Sequence, residues 1–346
     1  MINTTYGNYY IGLDLHKKIN VYCIKKADGQ ILEEGTMPAT RKDLRDWISG
    51  LESPFMLGME ATMFSGWVYD CVCSMIDEPN QVFVGHAAML KAMAVMKNKS
   101  DKIDARMLSD LLRCNLFPSI YMAPQEMRDL RRVLRFRNYL VRLAISLKNK
   151  TAGLLMECGQ SYQKKKLHQK RYFSDLLENL EETPESVVEL LQFNRNMIET
   201  FEQSQKRLLR ELAENKSLRQ RVHVLMSIEG VGVVTALTWA LEVGDPHRFS
   251  SIAKANSYCG LTSAQNSSAG KNKRGAISKK RNAHLQHVLI EAAKLAPIHN
   301  SQLREVRDKN DATGHRNRAT LAVARKIVAY LMAVDRSGKI FVPRSA

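Results

Sequence analysis

In the stretch MKNKSDKIDARMLSD, Met96 to Asp110, two aspartates stand three residues apart, Asp101 and Asp104, among Lys97, Lys99, Lys102 and Arg106. That spacing sets both on one face of a helix, with Ser100 ahead of them as a cap. Two more carboxylates, Asp14 in YYIGLDL and Glu60 in FMLGME, each close a short apolar run. Four like charges brought together raise one another's pKa, so such a cluster is costly unless cations neutralise it. Mg2+ does so, and two such ions about 3.5 to 4 Å apart can activate the attacking oxygen and stabilise the leaving one in a phosphoryl displacement. The lysines and the arginine around the aspartates would then hold the phosphates. Alone, an Asp-x-x-Asp pair is usually surface charge; agreement among three separated segments carries the reading.

The elements that must position these groups are legible. Strands are expected over Tyr9 to Leu15, Asn20 to Lys26 and Ile31 to Thr36, with a turn at Asp28-Gly29. A helix over Arg41 to Leu51, the strand FMLGME, a helical MFSGWVYDCVCSMI and the strand NQVFVG follow. The order βββαβαβ is that of a ribonuclease H-like (RuvC-like) α/β domain, which puts Asp14 and Glu60 at one edge of a sheet, where open α/β sheets place active sites. An exonuclease of the other four-acid type would carry Asp-x-Glu on its first strand, and Asp14-Leu15-His16 does not.

Charge divides the rest. With 52 Lys and Arg against 35 Asp and Glu the net charge is +17, which favours a polyanionic partner, nucleic acid first. Residues 128–150 hold eight basic residues, Arg131 and Arg135 among them, and one acid. Residues 174–214 hold ten acids and four bases, with leucines at helical spacing and Pro184 marking a break or a helix start, so this stretch reads as a helical, coiled-coil spacer that avoids DNA. From Ser250 to the end there are eighteen basic and five acidic residues. The expected division is a catalytic domain over 1–150, a spacer over 151–220 and a mostly α-helical C-terminal domain over 221–346.

In that last domain, SIEGVGVVTALTWALEVG has the form helix, Gly230-Val231-Gly232 turn, helix, like a helix-hairpin-helix module whose amides approach a phosphate. Between Gly260 and Arg281 a Ser/Gly-rich loop carries Lys271, Lys273, Arg274, Lys279 and Lys280, a composition suited to phosphate binding, along with Ser263, Ser267, Ser268 and Ser278. His284 and His287 on the following helix lack a Cys or acid spaced to complete a metal site, which leaves packing or phosphate contact. The six cysteines are scattered and read as reduced thiols; no apolar run of membrane-spanning length or signal-peptide layout occurs, so the chain is expected in the cytosol, with no membrane partner.

Taken together, YIGLDLHKK, GMEAT, NKSDKIDARMLSD, SIEGVGVVTA and YCGLTSAQNSSAGKNKRGAISK resemble the DEDD insertion-sequence transposases of the "one-ten" type, understood as bridge-RNA-guided recombinases. The resemblance covers nearly the whole chain. It implies that Asp14, Glu60, Asp101 and Asp104 bind magnesium in a RuvC-like domain. It also implies that Ser268, rather than its neighbour Ser267, attacks DNA to form a covalent phosphoserine link. It further implies a composite site from two protomers, a tetramer, donor and target DNA, and a non-coding guide RNA. Met63 stands where the family commonly has glycine, Ser263 where it has proline, and Ser268-Ala269-Gly270 where Ser-Gly-Gly is frequent. None of these changes removes a catalytic group. The rival readings are a RuvC-like hydrolytic nuclease or junction resolvase using the carboxylates alone, and a non-catalytic nucleic-acid-binding protein.

Overall fold

The computed structural model describes residues 9–76, 81–94, 100–268, 271–312 and 316–343. The chain forms two compact units, Met1–Gln125 and Glu126–Ala346.

The first unit follows the expected order. Strands β1 (Tyr9–Leu15), β2 (Ile19–Lys26) and β3 (Ile31–Pro38) form an antiparallel meander. β4 (Phe55–Glu60) and β5 (Val82–Gly85) add in parallel on the far side of β1, giving the order β3-β2-β1-β4-β5. Alternation along β1 sorts its side chains between two faces. Ile11, Leu13 and Leu15 pack in the apolar cluster that includes Leu44 and Ile48 of α1 (Arg41–Ser49) and Val68 and Val72 of α2 (Ser65–Cys73). The other face carries Tyr10, Gly12 and Asp14 and is covered by α4 (Asp101–Arg113), which follows the short α3 (Ala87–Met93).

The approach of α4 depends on one residue. A Cβ on Gly12 would stand 2.0 Å from the carbonyl oxygen of Ala105 and 2.6 Å from the amide nitrogen of Ser109. Only a residue without a side chain lets the helix backbone lie this close to the strand. Along the helix, Lys25 on β2 donates to Asp110 Oδ2 at 2.6 Å and Arg106 grips both oxygens of Glu34 on β3 at 2.5 and 2.6 Å. These contacts fix the tilt and rotation of α4, and so the position of its first turn.

The second unit opens with α5 (Gln125–Glu157), which runs unbroken through residue 150, where composition placed a boundary. The basic run over residues 128–150 lies wholly within this helix. After α6 (Lys170–Glu178), α7 (Glu185–Glu214) starts directly after Pro184. Then come α8 (Arg219–Met226), α9 (Val233–Val243), α10 (Ile252–Tyr258), the strands β6 (Ser263–Ser268) and β7 (Lys271–Ile277), α11 (Ala283–His299), α12 (Ser301–Asp311) and α13 (Arg316–Ser337). Every residue of α9 from Thr235 to Val243 is buried, as expected of a helix that is apolar all round. It sits in a large core with α8, α11 and α13, where Arg221 binds Asp335 through two contacts of 2.7 Å and the Trp239 indole donates to the same carboxylate at 2.9 Å.

One expectation changes here. The Ser/Gly-rich segment is an antiparallel hairpin, β6 paired with β7, and not a loop. Its strands lack the apolar alternation that marks a half-buried strand, because they stand largely exposed. Gly230 has φ +89° and a Cβ on it would meet Ala296 at 2.4 Å, so this glycine seats the α8–α9 turn against α11. Among the described residues, no helix is long and apolar enough to cross a membrane.

Candidate functional site

The carboxylates meet at the end of the central strands. Leu13 on β1 pairs with Met59 on β4, so Asp14 and Glu60 follow as the next residues of two adjacent parallel strands. α4 runs back along β1, which brings its first turn over Asp14. The Ser100 side chain caps this helix by accepting from the Ile103 amide at 3.4 Å, and Asp101 and Asp104 occupy the positively polarised first turn, where acidic side chains are stabilised.

His16, two residues beyond Asp14, closes the group. Its Nε2 lies 3.0 Å from Asp14 Oδ2 and 3.5 Å from Asp101 Oδ2. Ligand atoms of Asp14, His16 and Asp101 all lie within 4.8 Å of one another, close enough to share a cation. Burial raises the Asp14 pKa, the negative charges of Asp104 and Asp101 raise it further, and His16 opposes the rise. A divalent cation would relieve the same crowding. Asp104 contributes through its charge at Asp14, and Glu60 ends the neighbouring strand half-buried. His16 is the member that the sequence reading used only to exclude another enzyme class.

Of the basic residues expected around this site, Lys99 lies outside the described residues and Lys102 is exposed. Arg106 is spent on Glu34, whose carboxyl it holds below its ordinary pKa despite partial burial.

Ser268 is the last residue of β6, opposite Lys271, and is exposed at the tip side of the hairpin. Exposed Arg274, and Lys279 and Lys280 just beyond β7, surround the hairpin with positive charge. The side chains of Ser267 and Lys273 lie outside the described groups.

A buried polar hub roots the hairpin. Glu242 on α9 is 1% exposed and receives both arms of Arg135 at 2.8 Å, with Arg131 3.9 Å away. Asn282, the N-cap of α11, donates to the same carboxylate at 2.8 Å, and Tyr258 donates to the Glu242 carbonyl at 3.0 Å. Burial alone would raise the Glu242 pKa; Arg135, Asn282 and Arg131 outweigh it and hold the group ionised. Arg131 also donates to the Leu241 carbonyl at 2.7 Å. Arg131 and Arg135, expected from sequence as phosphate contacts, both reach this buried acid, Arg135 with its side chain half exposed. At the hairpin's foot, the Ser278 amide donates to Thr262, Gln286 donates to the Gly260 carbonyl at 2.6 Å and Arg325 to the Leu261 carbonyl at 2.8 Å. An exposed hairpin would otherwise have little to hold it.

Two family models match the chain. One, described as "Transposase IS116/IS110/IS902 family", covers residues 222–307, and the other, a DEDD transposase model of the IS110 type described as "Transposase", covers residues 11–159. The first spans Glu242, Tyr258, Asn282 and the hairpin, the second the carboxylate edge together with Arg131 and Arg135. The chain is 29% identical over 263 residues to a "Transposase for insertion sequence element IS1111A" of Coxiella burnetii, covering 69% of this chain and 67% of that one. It is 26% identical over 295 residues to a "Probable family 20 transposase" of Pseudomonas aeruginosa, covering 82% of each chain. It is 25% identical over 255 residues to a "Transposase for insertion sequence element IS1328" of Yersinia enterocolitica, covering 71% and 75%.

Proposed function

The chain belongs to the DEDD transposases of IS110-type insertion sequences, and from that premise we propose that it cuts and rejoins DNA through a serine ester supported by a metal-binding carboxylate cluster. The observation that carries this reading is the convergence of Asp14, His16 and Asp101 at the strand ends, with Asp104 in the same helical turn. Asp14, Asp101, Asp104 and Glu60 would hold magnesium, which when bound offsets charge on the phosphoryl group. His16 holds the Asp14 carboxylate in place.

The Ser268 hydroxyl is the proposed nucleophile. It loses its proton as Oγ bonds to phosphorus, and the bond from phosphorus to the leaving DNA oxygen breaks, freeing a DNA hydroxyl end. Attack by a DNA hydroxyl on the ester reverses the balance and rejoins a strand. Hydrolysis would discard that bond energy, whereas an ester keeps it for exchange. Exposure of Ser268 beside Lys271 and Arg274 supports the role, because the scissile phosphate needs access and counter-charge. Guidance by a non-coding RNA and assembly as a tetramer, with the carboxylates and the serine contributed by different protomers, rest on the family resemblance. The net charge of +17 accommodates a second nucleic acid.

A denaturing gel tests the mechanism. Protein, magnesium, junction DNA of the element, a target duplex and RNA from its non-coding flank should give a protein–DNA adduct that Ser268→Ala removes and Asp104→Asn suppresses. Cleaved DNA without an adduct, unchanged by Ser268→Ala, would make the enzyme a hydrolytic nuclease.

A further inference from the structure

A cleft of about 620 Å³ lies between α5, the start of α9 and α11, and neither Ser268 nor any of the four carboxylates lines it. Its size falls in the range of small-ligand sites. Its walls divide by chemistry. Val141, Val288 and Leu295 present apolar surface, and Arg137, Arg142 and His284 bring cations or potential cations to the same space.

The Arg137 Nε is sealed from solvent and has no hydrogen-bond partner among the described residues, while its Nη1 donates to Asn138 at 3.1 Å. Buried donors are nearly always satisfied, so this sealed N–H lacks an acceptor, one that the guanidinium would gain only by turning toward the cleft. The carboxylate in the lining does not supply it, since Glu291 pairs with Lys294 at 2.6 Å. Burial also lowers the pKa of Arg137, and burial together with Arg135, Arg142 and His287 lowers that of His284 despite the opposing charge of Glu242. An anion in the cleft would reverse both effects. α9 begins at Gly232 without a side-chain cap, so amides of its first turn add to the same demand. Next to the lining residue Arg142, α5 exposes Tyr139, whose ring centroid is 5.9 Å from the Arg142 guanidinium.

We propose that this cleft holds one unstacked nucleotide, its phosphate bound by Arg137 and Arg142 and its sugar and base lying against Val141, Val288 and Leu295 with Tyr139 at the rim. Apolar surface, paired guanidinium groups and an exposed aromatic are what a single-stranded nucleotide needs, and a duplex phosphate alone needs no apolar wall. The proposal goes beyond the cleavage reading and requires neither Ser268 nor a metal.

The test is equilibrium binding of a fluorescent thymidine oligonucleotide to the full-length protein without divalent cations. Arg137→Gln should weaken binding about tenfold and flatten the salt dependence, while Arg137→Lys recovers part of the loss. Leu295→Trp, which fills the cleft but leaves every cation in place, should weaken it comparably. Melting curves verify that each variant is folded. Photo-crosslinking with 5-bromodeoxyuridine should label peptides of α5 and α11. Competition by thymidine monophosphate at the oligonucleotide's own concentration range would assign the cleft to free nucleotides, and competition by longer strands alone would assign it to a strand. Wild-type affinity in both Arg137→Gln and Leu295→Trp would overturn the proposal, whatever the adduct gel shows.

Discussion

Gly12→Ala isolates the link between helix packing and catalysis. The new Cβ would sit 2.0 Å from the Ala105 carbonyl oxygen, 2.6 Å from the Ser109 nitrogen and 2.9 Å from Leu108 Cβ. An ordinary carbon–oxygen contact is about 3.3 Å, so α4 must retreat by about 1.3 Å at that point. Two of the three obstructing atoms are backbone, so no change of rotamer relieves them. The retreat moves Asp101 and Asp104 from Asp14 by a similar amount, and misplacement of about 1 Å costs on the order of 100-fold in rate. Overpacking also costs about 1–3 kcal/mol, which the variant should show as a lowered melting temperature without loss of the fold. Single-turnover DNA cleavage at saturating magnesium, well below the variant's melting point, measures the rate. Gly58→Ala is the internal control: its Cβ meets side-chain atoms of Phe117 and Leu112 at 2.8 and 2.9 Å, which can shift. A Gly12→Ala enzyme that is folded and cleaves within about threefold of wild type would refute the argument. So would restoration by Ala105→Gly, because the obstruction at Ala105 is its carbonyl and not its methyl.

Asp14→Asn should abolish cleavage yet raise the melting temperature in metal-free buffer. The folded pKa of Asp14 is raised, so through that range the unfolded state binds fewer protons and stability falls as pH rises; a neutral isostere removes the penalty, and thermal melts across the acid range would reveal it. Glu242→Gln should cost about 2–3 kcal/mol, less than a fully buried pair because Arg135 is half exposed. Its sign with pH is opposite: the folded pKa of Glu242 is lowered, so its contribution is complete above the unfolded value and lost as pH falls through the folded one, and the gap between wild type and variant closes in acid. Arg274→Gln should lower the log–log salt slope of duplex binding by about 0.9 if that exposed side chain contacts one phosphate, read by fluorescence titration.

The sheet was legible because β1, β2, β4 and β5 are apolar along most of their length, with Asp14 and Glu60 at the ends of two of them. Ser100 and the Asp101/Asp104 spacing announced the start of α4. The hairpin carrying Ser268 was not legible, since an exposed two-stranded ribbon buries too little to imprint a pattern on Ser, Asn and Lys. Nor could charge reveal that Arg131 and Arg135 pair with Glu242, which lies over a hundred residues away inside an otherwise apolar helix. Gly12 looked like any strand glycine until the helix above it was placed. His16 had a signal in its two-residue spacing from Asp14, which puts both on one side of an extended chain.

The two long helices of the second unit belong to two cores at once. Leu134 and Leu212 pack in the large core, and Leu154, Leu155 and Leu191 pack in a cluster of five buried residues, with the Lys148–Glu202 ion pair at 2.6 Å tying α5 to α7 in between. Along α5, Leu134 and Leu154 are about 30 Å apart at 1.5 Å per residue. Cores of such unequal size, joined by helical rods, need not melt together: the small one is a separate cooperative element with a lower opening free energy. Anything that covers the small cluster acts as a ligand of its closed form and stabilises it by mass action. If a second protomer is what covers it, protomer concentration sets how ordered that end of the molecule is, and assembly and local folding become one equilibrium.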